Sequence, residues 1–84
     1  MRESIFINVN NLKDAENIVK ILNKFDFDIL ASDQYFNVDA KSLLCVCTLE
    51  IDDPIRLSFE SKDADDIDID RLKMWLKNYI VEVI

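Results

Sequence analysis

Hydrophobic and polar positions predict a strand followed by a helix in the first third of the chain. Ile5 and Ile7 lie two positions apart in a β-prone stretch, and this period of two predicts a strand near Glu3–Val9. Beyond it, apolar residues recur at three- and four-residue steps, which is the spacing of one helix face. They are Ala15, Ile18, Val19, Leu22 and Phe25. We therefore predict an amphipathic helix over Lys13–Phe25.

The middle of the chain predicts a hairpin and one ambiguous segment. Apolar residues alternate with polar ones over 27–31 and resume at Tyr35, with Asp33-Gln34 between the two stretches, which predicts a β-hairpin. An apolar run, Leu43–Leu49, then follows Ser42. Periodicity does not decide whether this run is a buried strand or a short helix.

The last third predicts one strand and one helix. After the turn marked by Pro54, apolar and polar residues alternate over 55–60, which is the clearest strand pattern in the chain. Apolar residues then recur with helical spacing, and the acidic residues ahead of them are typical of a helix start. The recurring residues are Ile69, Leu72, Trp75, Leu76, Tyr79, Ile80 and Val83.

The order of these elements predicts the fold class. The order β-α-β-β-(short helix or strand)-β-α is typical of an α+β domain whose antiparallel sheet is covered on one face by helices. A chain of 84 residues can bury one hydrophobic core, so we expect a single domain over 1–84. With 50% apolar and 32% charged residues, the chain is expected to fold rather than to be disordered.

Charge and hydropathy disfavour two classes of partner. The net charge of −7 argues against nucleic acid, because that affinity depends on basic groups that displace phosphate counterions. No apolar run approaches the roughly 20 residues of a membrane-spanning helix, and the first residues do not resemble a signal-peptide core. We therefore expect a cytoplasmic protein that binds neither nucleic acid nor membranes.

The cysteines and carboxylates do not predict a metal centre. Cys45 and Cys47 are separated by one residue and lack a second cysteine pair, so we expect small buried hydrophobic residues rather than zinc ligands or a disulfide. The acidic run lacks the glycine that an EF-hand loop needs, since the chain contains no glycine, and we expect a solvated helix N-terminus there. This run consists of Asp63, Asp65, Asp66, Asp68 and Asp70. We expect no metal and no cofactor.

The segment VDAKSLLCVCTL over Val38–Leu49 resembles the HPr family of histidine-containing phosphocarrier proteins. The family shows an aliphatic residue, a Lys-Ser pair, here Lys41-Ser42, and a Leu-rich run that ends in Ser-Leu or Thr-Leu. The resemblance extends without a gap from the end of the first helix, near Phe25. It implies an HPr-like open-faced β-sandwich, βαββαβα, with a four-stranded antiparallel sheet, and it makes Ser42 the N-cap of a short helix.

The sequence departs from the family at the phosphorylated loop. Alignment without gaps from Phe25 places the family's histidine at Asn11, its arginine at Lys13 and its proline at Asp14. The chain has no histidine, and an amide nitrogen has no lone pair basic enough to accept a phosphoryl group. Asp14 as an aspartyl-phosphate acceptor would need a metal site that we cannot locate. We therefore favour the interpretation that the Asp14 carboxylate stabilises the first turn of the helix. We therefore expect a degenerate active site and no enzyme.

The resemblance also implies a regulatory serine and a docking patch. Ser42 corresponds to the serine that a dedicated kinase phosphorylates in HPr proteins of many Gram-positive bacteria, although capping alone explains the residue and is favoured. The family's docking patch for partner enzymes maps to Leu43, Leu44, Cys47, Lys20 and Lys24. The alternative is that some of these side chains belong to the core.

Three functional hypotheses follow from these expectations. The first is an HPr-like protein-binding or regulatory module without phosphocarrier activity, whose partners are phosphotransferase-system enzymes, an HPr kinase or a transcription regulator. The second is a corepressor-like or decoy protein controlled by phosphorylation of Ser42. The third is a small homodimer, rather than a monomer, that buries Leu43 and Leu44. An HPr-like fold with an unrelated binding role is a further alternative, because one fold hosts many functions.

Overall fold

Strands and helices follow each other along the chain in the predicted order βαββαβα. In a computed structural model, residues 2–60, 62 and 64–81 are described, Arg2 by its backbone alone. The strands are β1 (Arg2–Ile7), β2 (Leu30–Ser32), β3 (Asn37–Asp39) and β4 (Ile55–Glu60). The helices are α1 (Leu12–Leu22), α2 (Leu43–Val46) and α3 (Asp66–Trp75).

The strands form one antiparallel sheet in the order β1-β4-β2-β3. Ile5 on β1 pairs with Leu57 on β4, which in turn pairs with Ala31 on β2, and these buried residues face the helices. Successive residues of a strand point to opposite sides, so the next row lies on the open face. That row consists of Phe6, Arg56, Ser32 and Asn37. The four-stranded antiparallel sheet is the one predicted.

The hydrophobic core lies between the sheet and the helices. α1 buries the stripe Ala15, Ile18, Val19 and Leu22, which has the spacing of one helix face. α3 adds Ile69 and Leu72, and Leu76 follows directly after it. Removal of this apolar surface from water is the main stabilising term for the fold, at about 25 cal/mol per Å². Among the described helices, none has the length and apolar character needed to cross a membrane.

α1 ends three residues earlier than the periodicity predicts. The backbone N–H of Asn23 donates to the Val19 carbonyl, and its side-chain Nδ2 donates to the same oxygen at 2.9 Å. This cap closes the helix at Leu22, whereas Phe25 lies beyond the helix and is still buried. The predicted buried face is therefore correct and the predicted end is wrong, because a buried side chain does not have to lie on the helix.

The turn between β2 and β3 forms without glycine. The carboxylate Oδ1 of Asp33 accepts the N–H groups of Tyr35 and Phe36, each at 2.7 Å, and the Asp33 N–H donates to the Phe36 carbonyl. An aspartate that bonds the backbone two and three residues onward replaces the left-handed turn that glycine would allow. No described residue has a positive φ. The predicted hairpin is confirmed.

The chain after α3 runs beside the sheet instead of continuing as a helix. The Asn8 N–H donates to the Tyr79 carbonyl at 2.8 Å, and the Val81 N–H donates to the Phe6 carbonyl at 2.9 Å. Ile80 thereby forms an isolated antiparallel bridge with Ile7. The prediction that the helix extends through Tyr79 and Ile80 is wrong, since the free edge of β1 supplies competing backbone partners. Val83 lies outside the described residues.

The acidic run marks the start of α3, as predicted. Asp65 is the N-cap, although its side chain makes no capping hydrogen bond, and Asp66 and Asp68 lie in the first turn. Carboxylates at this position interact favourably with the helix dipole. Asp70 lies further along the helix, and Asp63 is outside the described residues.

Candidate functional site

The position that the resemblance assigns to the phosphorylated histidine is a helix cap. Asn11 precedes α1 with an extended backbone, and its Oδ1 accepts the backbone N–H of Asp14 at 2.9 Å. Oδ2 of Asp14 accepts the Asn10 N–H at 3.1 Å. The two side chains therefore satisfy donors that a helix start otherwise leaves free. Lys13, at the family's arginine position, is exposed on the first turn.

Both side chains at this helix start are engaged in capping hydrogen bonds. The Asn11 amide has no basic nitrogen, and its oxygen is already an acceptor for the helix backbone. The Asp14 carboxylate also lies where an incoming phosphate would meet a negative charge. Asp14 lies in the first turn of α1, the position that the sequence predicts for it.

Ser42 is the N-cap of α2, which settles the ambiguity of the Leu43–Leu49 run. Ser42 has an extended backbone and its Oγ accepts the Cys45 N–H at 3.4 Å. α2 spans four residues, and its C-cap N–H, from Cys47, donates back to the Leu43 carbonyl. The segment is thus a short helix, as the resemblance implied, and Lys41-Ser42 opens it.

The start of α2 is fixed to the end of α1 by two side chains. Nδ2 of Asn23 donates to the Lys41 carbonyl at 3.0 Å. The ammonium group of Lys41 donates in turn to the Phe25 carbonyl. These bonds hold Ser42 next to the C-terminal end of α1, so the two helices present one continuous surface.

The predicted docking residues lie at or just beyond the ends of α1 and α2 and on α2, and we call them the α1–α2 patch: Lys20, Lys24, Leu43, Leu44 and Cys47. Leu44 is 83% exposed, whereas Leu43 is partly buried and packs against the core. Lys20 is exposed in the last turn of α1, and Lys24 is exposed just beyond the C-cap residue Asn23. Leu44 is therefore the main apolar side chain that the patch offers to solvent.

The prediction that both cysteines are buried is wrong. Cys47 is exposed, and Cys45 is only partly buried. In a short helix the core-facing positions recur every three residues, and here they are taken by Val46 and Leu49, both buried. Cys45 and Cys47 flank Val46, so neither occupies one of those core-facing positions. Among the described residues, no three His, Cys, Asp or Glu side chains could together hold a metal ion.

Trp75 lies at the edge of the α1–α2 patch, and sequence reasoning missed it there. Its ring packs against Phe25 with centroids 5.4 Å apart, the Lys24 ammonium lies 5.2 Å from its centroid, and 42% of the side chain is exposed. The periodicity groups Trp75 with the core residue Leu76, yet adjacent helix positions differ by about 100°. That angular difference is the signal that could have placed Trp75 at the rim.

The open face of the sheet carries a cleft. It has a volume of about 560 Å³, with Phe6, Ser32 and Arg56 at its base and the turns over 33–35 and 50–54 at its sides. Oδ2 of Asp33 accepts the Glu50 N–H at 2.9 Å and thereby joins the two turns. The bond from Glu50, together with those from Tyr35 and Phe36, lowers the pKa of Asp33 below its ordinary value.

Comparison with known proteins finds a likeness in structure. No family model matches the chain, and no curated protein matches it significantly. The crystal structure of the phosphocarrier protein HPr from Bacillus anthracis str. Ames is similar to this chain with a TM-score of 0.69 at 21% identity. The match covers 94% of this chain and 95% of that one. The chain therefore has an HPr-like α+β fold, with an open four-stranded antiparallel sheet and three helices.

Proposed function

We propose that this chain is an HPr-like protein without histidine phosphocarrier activity, which acts as a protein-binding or regulatory module. The observation that carries the proposal is the helix cap at Asn11, where the fold's phosphorylated histidine would stand, in a chain that has no histidine. A phosphocarrier needs a nucleophile that accepts the phosphoryl group and releases it to a partner. Neither the capping amide nor the Asp14 carboxylate, which is bound to the Asn10 N–H, meets that need.

The α1–α2 patch supports the proposed role as a protein-binding module. Leu44 is 83% exposed on a one-turn helix that two hydrogen bonds hold against the end of α1. An exposed apolar side chain on a helix that is hydrogen-bonded to its neighbour is suited to bind a partner protein. We propose that the partners are phosphotransferase-system enzymes, an HPr kinase or a transcription regulator in the cytoplasm, and that the chain catalyses no reaction.

Phosphorylation by enzyme I tests whether the chain lacks phosphocarrier activity. The protein is incubated with phosphoenolpyruvate and enzyme I of the phosphotransferase system, and its mass is measured, with the HPr of Bacillus anthracis as the positive control. We expect no added phosphate on this chain and one on the control. A stable phosphate on the unaltered chain would contradict the proposal. An Asn11→His variant tests the patch as well, since its phosphorylation would require docking of enzyme I.

Ser42 offers regulation of the same patch. Its Oγ lies beside Leu43 and Leu44, and a phosphate there would add about two negative charges to the surface. The ammonium of Lys41, the adjacent cation, already binds the Phe25 carbonyl, so a phosphate would compete for it. An HPr kinase should add one phosphate to the protein and none to a Ser42→Ala variant. Absence of modification on the unaltered protein would contradict this regulation.

Self-association through Leu44 is a second candidate, which the exposure of that side chain favours. Leu43 cannot contribute equally, because it packs partly against the core. A homodimer through this patch should show twice the monomer mass in light scattering and should dissociate in a Leu44→Asp variant. A monomer mass at high concentration would contradict it.

A further inference from the structure

Trp75 is the sole tryptophan of the chain, and its ring packs against Phe25 and Lys24 while the residue stays 42% exposed. Phe25 supports the ring from the core side at a centroid distance of 5.4 Å. The Lys24 ammonium contacts it 5.2 Å from the centroid. An aromatic side chain that is already immobilised loses little conformational freedom on binding, which is the property of an interface anchor.

Two basic residues lie beside this ring in a chain that is acidic overall. Lys24 lies against it. Arg71 precedes Trp75 by four residues on α3, so both side chains lie on one side of that helix, and Arg71 is exposed. We call Trp75 with Lys24 and Arg71 the Trp75 surface.

The local charge indicates what this surface binds. The whole chain carries a net charge of −7, so its general field repels acidic molecules, whereas the Trp75 surface places the basic residues Lys24 and Arg71 beside an aromatic ring. Complementary charge selects the partner and its orientation at an interface more than it sets raw affinity. A ligand that fits must therefore bring carboxylates to the cations and an apolar group to the ring.

We propose that the Trp75 surface is a docking site for a short acidic segment of a partner protein, with one apolar side chain on the Trp75 ring and carboxylates beside Lys24 and Arg71. The inference rests on the proposed function in one respect, because it takes the chain to be a protein-binding module. It extends the α1–α2 patch onto α3 and specifies the chemistry of the partner.

A synthetic peptide with four glutamates around one phenylalanine is the probe. It is titrated into the full chain, and the fluorescence of Trp75 is followed, which reports directly on the ring. We expect a saturable change in emission and none with a matching peptide of four lysines around one phenylalanine. Equal responses to both peptides, or no saturable response to the acidic one, would overturn the proposal.

Variants separate the Trp75 surface from general charge effects. Lys24→Gln with Arg71→Gln should weaken binding of the acidic peptide about tenfold. The matched pair Lys13→Gln with Arg56→Gln removes the same charge at the other end of α1 and on the open face of the sheet, and it should leave binding unchanged. An equal loss in both double variants would overturn the proposal, because it would show a non-specific electrostatic effect.

Two further measurements test whether the acidic peptide binds at Trp75. Trp75→Leu should abolish binding in a calorimetric titration, while the urea unfolding curve of the variant confirms that it is folded. Phe36→Asp, at an exposed aromatic residue on the turn between β2 and β3, should leave binding of the acidic peptide intact, and a loss there as large as in the Lys24 and Arg71 double variant would overturn the assignment to Trp75. Phosphate transfer from enzyme I to this chain would contradict the proposed function and leave these peptide titrations unaffected.

Discussion

Asn11 and Asp14 close the N-terminus of α1 together. Oδ1 of Asn11 accepts the Asp14 N–H at 2.9 Å, and the carboxylate of Asp14 reaches back to the Asn10 N–H at 3.1 Å. Here the same backbone donors are satisfied by the chain's own side chains, so the local geometry stabilises the helix.

We expect Asn11→Ala to lower the free energy of unfolding by about 0.5–2 kcal/mol, the usual cost of a lost N-cap. Urea denaturation at neutral pH measures the change. Asn11→Asp is the control, because its carboxylate can accept the Asp14 N–H and should retain most of the stability. An Asn11→Ala variant as stable as the original chain would contradict the capping role.

Truncation of two leucines should separate the core from the patch. Leu22→Ala should cost about 2–5 kcal/mol, because Leu22 is fully buried at 0% exposure and its truncation leaves a cavity. The same change at Leu44, which is 83% exposed, should alter stability by less than about 0.5 kcal/mol. Urea unfolding curves of both variants give the comparison. Similar losses at the two positions would contradict the assigned burial.

Stability should depend on pH through Asp33. Its ionised carboxylate accepts N–H groups of Glu50, Tyr35 and Phe36, which lowers its pKa in the folded chain below the ordinary value of 3.8. A depressed folded pKa means that the contribution is present above the unfolded pKa of about 3.9 and is lost as the pH falls through the folded value.

An Asp33→Asn variant should therefore be less stable than the original chain at pH 7, and the difference should shrink as the pH falls below about 4. Urea midpoints measured across this range for both proteins give the result. Asp28→Asn, which removes the same charge at another exposed aspartate, provides the control for the loss of one carboxylate. A constant difference between the Asp33 variant and the original chain would contradict the linkage.

We expect Ser42→Ala to weaken α2 locally and to lower the free energy of unfolding of the whole protein only slightly. The distance from Oγ to the Cys45 nitrogen is 3.4 Å, which is long for a hydrogen bond, so we expect a loss near the low end of the capping range, about 0.5 kcal/mol. Faster hydrogen exchange at the Cys45 amide is the direct measurement. Ser42→Asp keeps an acceptor and should protect that amide, and equal exchange in the alanine variant would contradict the cap.

Local patterns determined those elements in which one face meets the core. The α1 stripe from Ala15 to Leu22 and the alternation over 55–60 could be read from the residues, because burial of one face imposes a period on the sequence. The resemblance at Lys41-Ser42 identified α2, which periodicity left open. The missing imidazole needed no coordinates, since a nucleophile that is absent from the sequence is absent from every conformation.

Long-range contacts decided the rest. Tyr79 and Ile80 keep an apolar helical spacing, yet the free edge of β1 binds their backbone, and a sequence does not show which strand edge remains unpaired. Asp33 looks like a turn residue, but only the folded chain brings the Glu50 N–H to its second oxygen. Trp75 shares its pattern with the core, and the position of Phe25 and Lys24 beside it sets how much of the ring stays exposed. Such contacts join residues far apart in the chain, so no local period records them.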